Sequence, residues 1–386
     1  MKVLFIHNNY ASNNSGEEHA AEGLAKLLED NGHTVEWYRR SSAEIANSTI
    51  GKLKAFFTGI WNPNAIRGVK QKIDEFQPDV VQIQNLYPLI SPAVLLAVKS
   101  KGIPIIMRCP NYRLFCPTGL HLDGNGNICE QCLTSGRELN CIKKNCENNI
   151  PKSIGYAVRN YTARTIWGIS EQADKYIVQT KFQKEKFIKN GIPEDKMAII
   201  PGLPPDIPDQ KVALGEKVIF VGRVSPEKGV LDFLEAARNL PDIRFEIAGS
   251  IDESLSYIEA NLPKNVTWVG FLNKQDLNNL YREARIVVVP SKWYEGFPNV
   301  ITRAMKFGKP VITTNLGAMA SIIDHKENGL LVEPGNQNEL KKAIKYLYEN
   351  PSLCQKYGKN GYKKSVSIYS VNSIYKELIK TYTSVI

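Results

Sequence analysis

The 386-residue sequence has no apolar run of 18 residues or more, so no stretch of it is expected to cross a bilayer as a helix. The first residues, MKVLFIHNNY, enter a strand-like run with a single lysine, which is not the pattern of a secretory leader. Both absences point to a cytoplasmic protein. Short-period repeats and low-complexity tracts are also missing, which excludes solenoids and disordered arrays. Helix-turn-helix, RRM and KH signatures are absent. The 49 Lys and Arg against 39 Asp and Glu leave a formal charge of +10, but the excess is spread over both halves. Nucleic acid is therefore not an expected partner. A solvated basic surface fits this charge, and so does a peripheral contact with acidic headgroups at the inner face of the cytoplasmic membrane.

What is present is a long alternation of strand-like and helix-like segments. KVLFIHNN reads as a strand, EEHAAEGLAKLLEDNG as a helix ending at Gly32, and HTVEWYRR, DVVQIQN and IPIIMR as further strands, the last two each following a helical stretch. A mainly helical region, roughly 151–190, is interrupted by KYIVQT. Four prolines between Pro201 and Pro208 then form a stiff connector. A second series follows: KVIFVGRVS, a helix from Val230 to about Leu240, IRFEIAGS, VTWVGF, RIVVVPS, a helix after Pro298, PVITTN and GLLVEPG. With 43% hydrophobic and 23% charged residues there is enough apolar material for two cores. The expected fold is α/β, with two facing Rossmann-like doubly wound domains and a ligand at the carboxyl ends of the strands.

Five of the seven cysteines fall within about thirty residues, in an insert spanning 116–146 that is rich in Gly and Asn and poor in apolar residues. In a cytoplasmic chain this clustering favours metal over disulfides. Cys129 and Cys132 have the two-residue gap of a tetrahedral zinc pair, and Cys116, Cys141 and Cys146 are candidates for the other two positions. The preferred ligand set is Cys116, Cys129, Cys132 and Cys146, a closed structural site; reduced free thiols are the alternative.

Three stretches bear chemistry. In VGRVSPEKGV, Gly222 ends a strand, and Arg223 and Lys228 bracket a turn into a helix, so two cations and free N–H groups converge on a possible diphosphate. The stretch is neither a Walker loop nor GxGxxG. In NYASNNSGEEHAAEGL, Gly16 precedes Glu17 and Glu18, which either serve the helix dipole or belong to a loop near a ligand. In WYEGFPNVITRAM, Glu295 sits on a turn made sharp by Gly296 and Pro298, where a carboxylate accepts hydrogen bonds from sugar hydroxyls.

GRVSPEKGV, SKWYEGFPNVITRAMKFGKPVITTNLGAMASII and NGLLVEPGN together resemble the donor-binding domain of the retaining glycosyltransferases of family 4, which have the GT-B fold of two Rossmann domains. The first half, with IQNLYPLISP and NYRLFCP before the cysteine insert, is similar to a bacterial subgroup that builds cell-surface polysaccharides. The resemblance implies an acceptor-side domain over 1–204, a donor domain over 205–370 and a last helix, 371–386, packing back on the first domain. It implies that Arg223 and Lys228 bind the donor diphosphate without a catalytic metal. Glu295 would hold the hydroxyls of the transferred sugar, and Gly222 and the stretch Gly296, Phe297, Asn299 and Val300 would approach sugar and phosphate. Gly16 would lie near the reacting centre. The donor would be a nucleotide diphosphate sugar and the acceptor a glycan or a lipid-linked glycan, with retention of anomeric configuration.

The chain departs from that family at three places. Arg303 replaces the second glutamate of the paired motif, which holds the ribose; Pro110 stands where a histidine is common; Gln82 and Gln84 stand where histidines are frequent. Either Arg303 contacts a phosphate or stacks near the nucleotide, so that a deoxythymidine diphosphate sugar is tolerated, or it points away and main chain holds the ribose. A sugar-nucleotide epimerase on the same fold and a non-catalytic sugar-nucleotide binder are the competing classes.

Overall fold

The computed structural model describes residues 1–11, 16–205, 207 and 214–386. It divides into two compact units: Met1–Asn125 with Cys129–Leu203 and Ile374–Ile386, and Gly126–Ile128 with Pro204–Ser373. Part of the proline connector, residues 206 and 208–213, lies outside the described residues, as do residues 12–15 of the first loop.

In the first unit the order is β1 (Lys2–Asn9), α1 (Gly16–Glu29), β2 (Thr34–Ser41), α2 (Thr49–Ile60), α3 (Pro63–Phe76), β3 (Val80–Asn85), α4 (Ala93–Lys99) and β4 (Ile105–Arg108). After the cysteine insert come α5 (Leu139–Lys143), α6 (Ile150–Thr165), β5 (Lys175–Val178), α7 (Lys181–Lys189) and β6 (Met197–Ile199). The strands form one parallel sheet in the order β2-β1-β3-β4-β5-β6. A parallel sheet is covered by its crossover helices, and β3 is accordingly buried at all six positions, its two glutamines included. The helical stretch before β3 is two helices. Asn62 caps α3 by accepting from the amides of Asn64 and Ala65, and Pro63 takes the first helical position, where no backbone donor is needed.

The second unit runs β7 (Lys217–Val221), α8 (Val230–Arg238), β8 (Phe245–Ala248), β9 (Val266–Trp268), α9 (Lys274–Glu283), β10 (Ala284–Val289) and α10 (Asn299–Lys306). It continues with β11 (Val311–Thr314), α11 (Gly317–Ile322), β12 (Gly329–Val332), α12 (Gln337–Tyr348) and α13 (Pro351–Ser367). Its parallel sheet has the order β12-β11-β10-β7-β8-β9, with the topological switch beside β7, next to the loop that carries Arg223 and Lys228. The final helix, α14 (Val371–Thr383), sends Ile374, Leu378 and Tyr382 into the first unit's core beside Val3, Phe5, Ile106 and Ile177. There the Tyr382 hydroxyl donates to Gln82 Oε1.

Candidate functional site

Two loops at the carboxyl edge of the second sheet converge. The loop after β7 closes on α8 through Gly229, whose φ of +74° is open to glycine at no steric cost; a Cβ there would stand 1.9 Å from the Pro290 carbonyl oxygen. That close approach seats Lys228 against the end of β10. Its Nζ donates to Glu295 Oε1 at 2.6 Å and lies 5.1 Å from the Trp293 ring centroid. Ser291 Oγ donates to the same carboxylate oxygen at 2.6 Å. Burial acts to raise the Glu295 carboxyl, but Lys228 and Ser291 outweigh it and hold the group below the usual carboxylate range. Glu295 is therefore an ionised acid, 7% exposed, on the turn before α10.

Gly222 follows β7, and Gly249, with φ +144°, passes so close that a Cβ would lie 1.9 Å from the Gly222 carbonyl oxygen. The next side chain, Arg223, is half-exposed; it pairs with Glu227 and lies 4.0 Å from Asp252. Neither α8 nor α10 has a side-chain cap, and their first turns are closed in part by backbone bonds, the Asp232 amide to the Gly229 carbonyl at 3.1 Å and the Ile301 amide to the Pro298 carbonyl at 2.9 Å. Gly296 lies in the turn. Phe297 packs edge-on to Tyr369, the Asn299 amide donates to the Phe297 carbonyl at 3.0 Å, and Val300 offers its carbonyl to Tyr281 at 3.4 Å. Arg223, Lys228, Glu295 and the 296–300 turn thus belong to one strand-end surface of the second unit. It can bind an anion and, beside it, hydroxyl groups.

Arg303 is held on the flank of that surface. Its Nη1 donates to Asn278 Oδ1 at 2.7 Å, and its guanidinium lies 5.9 Å from the centroid of the Tyr281 ring. Both partners are on α9. Ser291, Trp293 and Asn278 were not singled out in the sequence; of these, Ser291 carries a signal, being four residues before Glu295 at the end of an apolar run.

Gly16 opens α1 in the first unit, and Pro110 follows β4. The cysteines of the insert are free thiols, and no three His, Cys, Asp or Glu among the described residues form a set that could hold a metal ion. Cys116 shares a hydrogen bond with the Thr118 hydroxyl at 3.3 Å, and Cys141 and Cys146 pair with each other, which raises the first thiol and lowers the second. Cys132 is pushed up by burial and by its neighbours Cys116, Cys146 and Cys129, the other members of the expected ligand set. No helix among the described residues is long and apolar enough to cross a membrane.

Residues 209–364 match the family of group 1 glycosyl transferases. The two-sheet fold is that of GT-B glycosyltransferases: the chain superposes over its whole length on the Anabaena protein HepE in complex with UDP-glucose, which is covered completely, with TM-score 0.65 and 19% identity. A glycosyltransferase from Rickettsia africae gives TM-score 0.70 at 17% identity, with 100% of this chain and 98% of that one covered. Among curated proteins, an uncharacterized glycosyltransferase of Methanocaldococcus jannaschii is 31% identical over 173 residues, 43% of this chain and 44% of that protein. The α-D-kanosaminyltransferase of Streptomyces kanamyceticus is 27% identical over 176 residues, 44% and 45% of the two chains. The chain thus spans under half the length of these curated relatives.

Proposed function

We propose that this chain is a retaining glycosyltransferase of family 4 that moves a sugar from a nucleotide diphosphate sugar to a glycan or lipid-linked acceptor in bacterial surface-polysaccharide synthesis. The observation that carries the reading is the Lys228–Glu295 pair at the mouth of β7 and β10. A cation poised for a diphosphate sits 2.6 Å from an ionised acid poised for sugar hydroxyls, within the stretch that matches the group 1 glycosyl transferases. Arg223 and Lys228 take the diphosphate. Glu295 orients the transferred sugar.

The acceptor hydroxyl attacks the anomeric carbon as the bond to the diphosphate oxygen breaks. The nucleoside diphosphate leaves with its charge neutralised by the two cations, and the acceptor proton passes to the departing phosphate on the same face, so anomeric configuration is kept. No catalytic metal is assigned. Arg303 is held against α9, so no carboxylate grips the ribose, and this position is where donor recognition departs from the family.

A specific surface favours a lipid-linked acceptor at the inner membrane face. Helices α2 and α6 contain no acidic residue, carry Lys52, Lys54, Lys152, Arg159 and Arg164, and expose Ile50, Leu53, Phe57, Ile150, Ile154 and Tyr161. An apolar groove of about 830 Å³ lies along them, lined by Leu53, Phe56, Ile154 and Tyr156 among others. Exposed aliphatic and aromatic side chains on helices without acidic residues, with Lys52 and Lys54 among them, are the chemistry of docking on an anionic bilayer, although Lys152 and Arg164 are paired with Glu147 and Glu138 outside those helices. Sedimentation with phosphatidylglycerol vesicles, and not with phosphatidylcholine vesicles, is the expected result, lost in a Leu53→Ser, Phe57→Ser variant.

The transfer reading is tested by product analysis. Donor with acceptor should yield one glycoside of the donor's anomeric configuration by NMR. Conversion of donor alone into an epimeric sugar nucleotide would establish the epimerase reading instead, and donor binding without any product would establish a binder.

A further inference from the structure

The first unit has its own strand-end pocket, and its lining is chemically unlike that of the donor loops. Glu17, Gln84, Asn85, Arg108, Cys109 and Arg113 are among the residues around a cavity of about 50 Å³. Arg108 is 2% exposed, yet its Nε and Nη1 meet no acceptor among the described residues. Gln84 is buried with both amide atoms unpartnered, and Arg113 Nε is unpartnered, although its Nη1 donates to Asn85 Oδ1 at 3.2 Å. Buried polar groups are normally paired, and a guanidinium edge left without acceptors is a costly arrangement. Several such groups around one cavity mark a place that is completed by a ligand.

Charge and size narrow that ligand. Two guanidiniums face one pocket carboxylate, Glu17, whose Oε2 accepts from the Tyr10 hydroxyl at 2.8 Å; Glu18 is turned to the Tyr10 amide. His7, next to Arg108, is held neutral near pH 7, its pKa lowered to about 4 by burial and by Arg39 and Arg108. Burial raises the Glu17 carboxyl toward its neutral form, so the pocket is left with an excess of positive charge. With about 50 Å³ available to water-sized groups, the pocket has room for at least one small polar group. A neutral hydroxyl would not offset the excess charge, whereas a planar or tetrahedral oxyanion matches the guanidinium fork.

We infer that this pocket binds a single oxyanion, a carboxylate or a phosphoryl group, carried by the acceptor, with Arg108 and Arg113 as its ligands and Gln84 as a further donor. The acceptor is then an acidic sugar or a phosphorylated one. The inference rests on the transfer reading for the word acceptor, but the anion site itself does not.

The test uses the full chain saturated with a bound nucleoside diphosphate, so that the donor loops are filled. Methyl glucoside, methyl glucuronide and methyl glucoside 6-phosphate, which differ only at C6, are titrated by calorimetry. One charged probe should bind at least about ten-fold more tightly than the neutral one, a preference erased in Arg108→Gln and kept in Arg108→Lys. Preference for the glucuronide identifies a uronic-acid acceptor, and preference for the phosphate a phosphorylated one. Equal binding of all three, no binding of any at millimolar concentration, or a preference that survives Arg108→Gln overturns the proposal. If Arg108→Gln does not fold, Arg113→Gln and the wild-type comparison decide. Failure of the wild type to bind any nucleoside diphosphate would instead sink the transferase reading; the three probes, titrated without nucleotide, would still decide the anion site.

Discussion

The two units share an architecture and differ in how they treat charge at their strand ends. In the second unit Lys228 pairs with Glu295 and Arg223 with Glu227, and the buried polar atoms without a hydrogen-bond partner among the described residues are Trp293 Nε1 and Asp232 Oδ2, the latter 2.7 Å from Lys292 Nζ. In the first unit His7, Gln82, Gln84 and Arg108 each leave buried polar atoms unpartnered among the described residues. On the proposed reading, the paired cations of the second unit are released to a diphosphate when donor binds. The unpaired pocket is incomplete until something polar enters it. Two parallel α/β sheets that differ in strand order, β2-β1-β3-β4-β5-β6 against β12-β11-β10-β7-β8-β9, thus differ also in the side chains at their strand ends, and it is those side chains that bear on ligands.

The comparison breaks most sharply at Lys228. Lys228→Ala removes the diphosphate contact and leaves Glu295 buried without its cation, so transfer should fall by about a hundred-fold or more, with donor affinity falling too, read by steady-state kinetics and calorimetry. Gly229→Ala should be next. The left-handed φ and the 1.9 Å approach to Pro290 force the loop off the sheet, costing on the order of 2–4 kcal/mol in chemical denaturation and loosening the Lys228–Glu295 contact.

A smaller effect sharpens the same pair through pH. The Glu295 carboxyl is depressed in the folded protein, so its stabilising contribution is present above its unfolded value, near pH 4.3, and is lost as pH falls through the folded value. Melting temperatures recorded downward from pH 7 should drop less steeply in Glu295→Gln than in the wild type below about pH 4.3. The smallest change is expected at Arg303. Arg303→Glu should shift the ratio of kcat/KM between ribonucleotide and deoxyribonucleotide donors towards the ribonucleotide by several-fold, about 1 kcal/mol, through a restored ribose contact. An unchanged ratio would mean that main chain holds the ribose.

Much of the second unit was legible in the sequence because its chemistry follows its strands locally. Gly222, Arg223, Lys228 and Glu295 each stand within a few residues of an apolar run, and those runs are β7 and β10. Arg303 was legible as a departure but not its partner: Asn278 is 25 residues earlier, and the contact depends on how α9 packs beside α10. The first unit was less readable. Gln82, Gln84 and Arg108 interrupt strand runs where periodicity predicts only burial, and whether a buried polar atom is satisfied is a tertiary property. The cysteine spacing suggested zinc; what it did not give are the individual contacts, Cys116 with Thr118, Cys141 with Cys146, and the buried Cys141 among Ala157 and Ile142.

The central claim is that the Arg223–Lys228 loop and Glu295 form a nucleotide-sugar site. Calorimetric titration of the protein with UDP, GDP, CDP and dTDP sugars, without added metal, tests it most directly. Micromolar binding to one donor, abolished in Lys228→Ala, is the predicted result; no heat with any of the four, or equal affinity in the variant, would contradict it.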